Sequence, residues 1–254
     1  ADSDGASLVL RIADASVNEV TFSAAVDDPA VLELGLSTQA VITKPAVRAT
    51  KDLVSFVGRL AADATLTLTT TGGNGPSGTV TIYADDTATN NSILSLVHDV
   101  NQALSVPTLK TGVLTSFAPA TATFGVRING GALVSVNVAN LAGNTSLSDL
   151  VIDINAALQA AHLDGFVTAK SSGTGSDLGK ARVKFVADPS TVNTLEITAL
   201  AGNGLQLPVG ASTATNFAGK LTASSQGNKL LLVAADPALT AFTVSGNAAA
   251  AGLG

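Results

Sequence analysis

The chain has 254 residues, 46% hydrophobic and only 13% charged, against a usual charged share of about 25%. Lys and Arg number 13 and Asp and Glu 19, a net charge of −6, the opposite of the basic balance that phosphate neutralisation needs, so nucleic acid is excluded as a partner. Cys, Met and Trp are absent and there is one Tyr, which excludes disulfides, thiolate metal sites and a cysteine nucleophile.

The chain opens on the polar run Ala1-Asp2-Ser3-Asp4-Gly5, as expected of a piece cut from a longer polypeptide or of a processed product. An apolar strand from Leu8, an Ala-Asp break and a second strand ending at Phe22 follow. A connection from Thr38 to Ala49, containing Lys44-Pro45, reads as a linker. Thr65 to Thr69 then alternates Thr and Leu, which is the period of a half-buried strand. After a Gly-rich stretch from Thr71 to Gly78, read as a hairpin connection, Thr79 to Tyr83 forms the partner strand. Ile93, Leu96, Val97, Val100 and Leu104 share one helical face, with Ser92 placed to cap it. The same order returns: a strand from Thr123 to Ile128, the hairpin pair Asn129-Gly130, a strand from Leu133 to Val138, and a helix faced by Leu147, Leu150, Val151, Ile154 and Leu158. The strand, Asp break and strand recur from Arg182 to Ile197 and from Lys229 to Val244. The longest apolar runs, such as 230–235, are far too short to enter a bilayer as a span.

These recurrences decide the organisation. Asn90, Ser92, Leu96, Val97, Asp99, Asn101, Ala103 and Leu104 return as Asn144, Ser146, Leu150, Val151, Asp153, Asn155, Ala157 and Leu158. Upstream, Ala64-Thr65-Leu66 aligns with Ala122-Thr123-Phe124 and Gly72-Gly73 with Gly130-Gly131. The fold class expected is α+β, mainly β. It is built of repeated small β-β-α-β-β modules, each an antiparallel sheet with one helix on one face. The order of starts and ends nests like brackets. Residues 1–43 are the C-terminal half of a module whose start is missing. Residues 44–105 plus 215–254 form a host module, and 106–214 form a module inserted after its helix. A serial reading leaves the start at 44–105 without an end.

The stretch Asn-Gly-Gly, a strand, Asn144 to Leu158, then Val167-Thr168-Ala169 and a later apolar strand resembles the flagellin IN-type motif. That motif occurs in flagellin outer domains and in flagellar filament-cap proteins. Similar units recur in tandem in giant bacterial surface proteins of the LEPR-XLL type. The resemblance covers residues 122 to 199 and, less closely, 64 to 104. It implies a structural or adhesive building block, not a catalyst.

Chemistry is sparse. Asp99-x-Asn101 and Asp153-x-Asn155 recur between the copies; they flank the apolar helix faces, where Asn is expected to satisfy strand backbone while partly buried. Asp2 and Asp4, ahead of Gly5, are candidate calcium ligands, because alternating carboxylates before a glycine can surround a hard cation. Asp27-Asp28 and Asp85-Asp86 are weaker candidates of the same kind. His98 stands where the second copy has Ile152, and His162 stands at a helix end; both are read as structural. The Gly-rich runs lack a Gly-Lys-Ser/Thr sequence, and Ser171 to Asp177 reads as a surface loop. Asn90-x-Ser92 and Asn144-x-Ser146 match a glycan acceptor but are better explained as caps. No cofactor other than calcium is implied.

The function expected is a non-catalytic module of a large bacterial extracellular surface or filament-forming protein, serving spacing, display or assembly. Its partners are neighbouring modules of the same or identical chains, including a homopolymer. It inserts into no membrane. The alternative is an adhesin module that binds a glycan or cell-surface ligand, with or without calcium. An enzyme acting on polysaccharide is disfavoured by the scarcity of aromatics and of paired carboxylates.

Overall fold

The computed structural model describes residues 2–4, 7–9, 19–23, 39–49, 58–172 and 178–253. They are mainly β, with two α-helices and several antiparallel sheets. In chain order the elements are β1 (Asp2–Asp4), β2 (Ser7–Val9), β3 (Glu19–Ser23), β4 (Gln39–Thr43), β5 (Ala46–Arg48), β6 (Ala64–Gly72), β7 (Ser77–Ile82) and α1 (Ile93–Ser105). There follow β8 (Thr108–Lys110), β9 (Thr123–Ile128), β10 (Val134–Asn137), α2 (Leu147–Ala160), β11 (Val167–Ser172), β12 (Arg182–Ala187) and β13 (Thr194–Ala199). The last strands are β14 (Gly210–Thr215), β15 (Leu221–Gln226), β16 (Lys229–Ala234) and β17 (Leu239–Gly246).

The expected linker from Thr38 to Ala49 is instead two strands. β4 pairs with β3, and β5 joins the edge of β16. Lys44-Pro45 is only the break between them, since proline cannot donate to a ladder. The expected single sheet per helix is also replaced. Strands β15-β16-β5 form one three-stranded sheet and β17-β6-β7 another; β11-β12-β8 and β10-β9-β13-β14 are their counterparts. The Asp-Pro breaks explain the division. At Ala187-Asp188-Pro189 and Ala235-Asp236-Pro237 the chain passes from one sheet to the other. Asp188 accepts from the Ser190 amide at 2.9 Å, and Asp236 from the Ala238 amide at 2.8 Å, closing a tight corner that a continuing ladder could not make.

The buried residues fall into two clusters. One runs from Leu109 to Ala214 and includes Phe124, Leu150, Ile154, Leu158, Phe185 and Leu195. The other draws on Ala64 to Leu104 and on Phe217 to Leu253, with Leu68, Ile82, Leu96 and Phe242 among its members. In the first, the Phe124 and Phe185 rings meet edge to face at 5.3 Å. Period-two burial along β12 and β13 and the leucine face of each helix generate these cores, as alternation and helical spacing require. The Asn129-Gly130 turn has both residues left-handed, at φ 52° and 71°, the geometry that closes a two-strand ribbon with the native twist. No described helix is long and apolar enough to cross a membrane.

Candidate functional site

Each helix is fastened to its neighbouring strand by one asparagine. The Asn101 amide donates to the Ala223 carbonyl at 3.0 Å, while its oxygen accepts the Ala223 amide at 2.7 Å and the Thr222 hydroxyl at 3.2 Å. Asn155 makes the same two-way bond to Ala169, at 3.0 and 2.8 Å. Both side chains are half-buried. An amide is the only uncharged side chain that offers a donor and an acceptor side by side, which is what one strand residue's N–H and C=O require.

The aspartates two residues earlier behave differently. Asp99 accepts from the Asn90 amide at 2.7 Å, and Asn90 also donates to the Gly58 carbonyl at 2.9 Å. In the second copy the aligned atoms, Asn144 Nδ2 and Asp153 Oδ2, are both buried without a hydrogen-bond partner. Asn90 is buried and fully engaged, which removes it as a glycan acceptor. Ser92 and Ser146 cap their helices, accepting from Ser95 N and Asp149 N at 3.2 Å each. At Ser146 the Asp149 carboxylate reaches back to complete a capping box.

A charged cluster joins the two cores, and sequence reading did not find it. Lys110, the last residue of β8, has a fully buried side chain. Its ammonium donates to Asp85 at 2.7 Å and to Asp86 at 2.9 Å, just past β7, and lies 4.5 Å from the centre of the Tyr83 ring. The Tyr83 hydroxyl accepts the Lys110 amide at 3.0 Å and donates to the Thr108 carbonyl at 3.2 Å. Around this centre, Lys184 pairs with Asp86 and Arg182 with Asp63, each at 3.3 Å, and Ser172 donates to Asp85 at 2.9 Å. Burial alone would raise Asp85, but the Lys110 ammonium, with Ser172 and Arg182, outweighs it and holds the carboxyl below its ordinary value. Burial pushes the Tyr83 phenol well above its ordinary range, reinforced by the nearby carboxylates. Asp85-Asp86 is thus an ammonium site supplied by the chain itself. The sequence had singled out the Asp85-Asp86 pair, as a weaker calcium candidate, but not the lysine between Leu109 and Thr111 that fills it.

The two sheets also meet here. Thr79 of β7 donates to the Thr213 carbonyl of β14 at 2.6 Å, and its hydroxyl lies 3.1 Å from that of Thr213. Gly78 is backed against Thr215 so closely that a Cβ has no room. The Phe217 amide donates to the Leu104 carbonyl at 2.6 Å, tying the strand returning from β14 to the end of α1. Beside the seam lies a cleft of about 380 Å³, with Asp86, Asp99, Lys170 and Lys184 among its lining residues.

Of the sequence-derived calcium candidates, Asp2 and Asp4 lie in β1, opposite Val9 and Ser7; their side chains, Gly5 and Asp27-Asp28 lie outside the described residues. Most of the loop at Ser171 to Asp177 does so too. His98 is an exposed helix residue, and His162 sits left-handed just beyond α2 at φ 57°.

No protein-family model matches the chain, and no curated protein matches it. Among solved structures it is similar to a three-domain piece of the flagellar cap protein of Escherichia coli, at 14% identity and a TM-score of 0.26. That match covers 95% of this chain and 59% of the other. Likeness at that level fixes neither the fold nor a role.

Proposed function

We propose that this chain is a non-catalytic structural part of a large bacterial extracellular surface or filament-forming protein, whose work is spacing, display and assembly. The organisation proposed is a host module at 44–105 plus 215–254, carrying an inserted module at 106–214 after its helix. The division of the buried residues into two clusters supports it, as does the matching strand order of the paired sheets. The pairs β1–β2 and β3–β4 have the same antiparallel form as β15–β16 and β13–β14, which supports reading 1–43 as the second half of a further module. The resemblance of 122 to 199 to the flagellin IN-type motif adds weight to an assembly role.

The observation that carries this reading is the seam. Lys110 is buried between the two cores and held by two carboxylates and a tyrosine. Charges locked at a joint fix an angle between modules, and a fixed angle is what a spacer contributes. The experiment is electron microscopy of the purified protein, with and without a calcium chelator. Elongated particles or regular fibres of uniform bend support the reading. Compact particles of variable bend overturn it, and a chelator-dependent change of shape would assign the stiffness to calcium instead.

The cleft beside the seam favours a second reading, an adhesin module. Its lysines and carboxylates face one space and could meet a polar ligand. A glycan array probed with the purified chain separates the two, since a spacer binds none of the sugars.

A further inference from the structure

We propose that the cleft beside the seam binds a sugar carrying a single negative charge, a uronate or a sulfate ester. Its anionic group sits at Lys170 and Lys184, and its hydroxyls meet Asp99 and Gln102. The inference rests on the adhesin reading of this cleft and names the class of ligand that the cleft takes.

In the sheet β11-β12-β8, Lys170 stands opposite Lys184, and Lys184 opposite Lys110. Directly opposed residues share one face of the sheet, so three lysines lie abreast, where like charges repel. Lys110 is compensated by Asp85 and Asp86, and Lys184 by Asp86 at 3.3 Å. Arg182, two residues along β12 on the same face, has Asp63. Lys170 is exposed, and among the described residues its ammonium has no carboxylate partner. The row is not demanded by the fold. In the counterpart sheet β15-β16-β5 the same three places hold Ser224, Leu231 and Arg48. Two of the three lysines are therefore peculiar to this sheet, and they are the two that line the cleft.

The cleft holds about 380 Å³, within the range of small-molecule sites. Helix α1 contributes Asp99 and Gln102 to its lining, and Ile82, Ala103, Val106 and Val186 give it apolar surface. Cations, acceptors and apolar patches together suit a sugar ring, which has hydroxyls at its rim and C–H groups on its faces. The carboxylates limit the ligand's charge. Asp86 and Asp99 repel a dianion such as a phosphate ester, and they tolerate one charge held at the lysines. They are too far committed to hold a ligand ammonium, because Asp86 already serves two lysines and Asp99 has one oxygen engaged by Asn90. Ligand hydroxyls donate to a carboxylate without adding charge, and so fit what is left. Tyr83 is the one aromatic residue in the lining, and its ring lies against Lys110. Without a free stacking platform the affinity should be about millimolar.

The test is nuclear magnetic resonance titration of the full chain with methyl glucuronoside, sulfated methyl glucoside, phosphorylated methyl glucoside, plain methyl glucoside and inorganic sulfate. The uronate or the sulfated sugar should shift the amides of Gln102, Lys170 and Lys184, and the tighter of the two identifies the source of the charge. Plain glucoside should bind at least about tenfold more weakly, the worth of one charge-assisted hydrogen bond. Lys170→Gln should weaken the charged sugars by about the same factor with the rest of the spectrum unchanged, and Lys170→Arg should restore them. Equal binding of the plain and charged sugars, or binding that Lys170→Gln leaves intact, overturns the inference while the adhesin reading stands. Tightest binding by the phosphorylated sugar overturns it through the charge limit. Inorganic sulfate binding as tightly as the sulfated sugar overturns it too, since the ring would then contribute nothing. No shift in the cleft with any sugar overturns both this inference and the adhesin reading of the cleft.

Discussion

The two helices repeat each other along their length and differ at their C-termini. α1 ends on Val106, which is extended at φ −128° and bonded back to Gln102, and Pro107 then leads the chain away into β8 of the other core. α2 ends in a left-handed turn. The His162 amide donates to Gln159 at 2.9 Å and the Leu163 amide to Leu158 at 2.8 Å, with Leu163 buried beneath. These paired bonds, with a left-handed residue and an apolar contact, are a Schellman closure that turns the chain back on itself. After it the chain enters β11, the strand that Asn155 holds. The strand that Asn101 holds, β15, arrives from more than a hundred residues later in the chain. One helix is therefore fastened to the strand that follows it directly and the other to a strand far later in the chain, and the two differ in the backbone conformation just past the helix.

The largest expected effect comes from breaking the charged seam around Lys110. Replacing Asp85 and Asp86 together by Asn leaves a buried ammonium without a counter-charge, a defect worth about 3 kcal/mol or more. Both carboxylates are partly exposed, which keeps the figure at the low end of that range. Adding Lys110→Met should restore most of the loss, as followed by denaturant unfolding; failure to restore it would show that the seam is not held by the charge pair. Acid should act in the same direction. The Asp85 contribution is present above the ordinary carboxyl value of 3.8 and is lost as pH falls through the lower folded value.

Alkali tests the same place through Tyr83, the only tyrosine in the chain. Its folded pKa is raised, so the stability it contributes is complete below the ordinary value of 10.0 and declines as pH rises above it. Near-ultraviolet absorbance should therefore show tyrosinate appearing in one cooperative step together with loss of structure. A gradual titration centred near the ordinary value would mean that the seam is open in solution.

Next in size are the asparagine fasteners. Asn101→Ala and Asn155→Ala each leave one strand residue's amide and carbonyl without partners, at a cost of about 2–3 kcal/mol. The comparison sharpens here. Loss at Asn155 frees α2 from a strand that follows it directly, whereas loss at Asn101 frees α1 from a strand of its own core that comes more than a hundred residues later in the chain. Hydrogen exchange should show a local opening around Ala169 in the first variant and a wider one, through β15 and β16, in the second. Equal and local openings in both would remove the distinction between the repeats.

What was legible in the sequence follows the same division. Helix faces, serine caps, the Asn129-Gly130 turn and the recurring Asp-x-Asn pairs are set by neighbours within a few residues, so spacing reveals them. β5 and β8 are only three residues long, and β14 is a six-residue run of small and hydroxyl side chains. None shows a period of its own; β5 and β8 are strands because distant edges pair with them, and β14 because it adds to the outer side of β13. The Lys110 cluster was illegible for the same reason, since its partners lie about two dozen residues away across a helix. The sheet division was missed because an Asp-Pro break looks the same whether the strands it joins share a sheet or not.

Capping should give a smaller effect. Ser146→Ala removes one arm of a two-way box and should cost about 1 kcal/mol, while Ser92→Ala removes a cap bond and a hydroxyl contact, both to Ser95, and should cost somewhat less. Thermal melts of the two variants suffice to check the order, and a larger loss at Ser92 would contradict it.

The smallest effect expected is a gain. His162 holds a left-handed backbone at φ 57°, where a side chain is strained and glycine is not. It is exposed, and the closing bonds of the turn use backbone atoms alone, so its imidazole is not needed for the closure. His162→Gly should therefore stabilise the protein by up to about 1 kcal/mol, reduced by the extra freedom glycine has when unfolded. The same substitution at Val106, which is extended and leads into Pro107, relieves no such strain and should destabilise. Opposite signs at the two helix ends, read by denaturant unfolding, would establish that backbone conformation past the helix separates the repeat that closes on itself from the one that does not. A loss at both positions would place that distinction in the side chains instead.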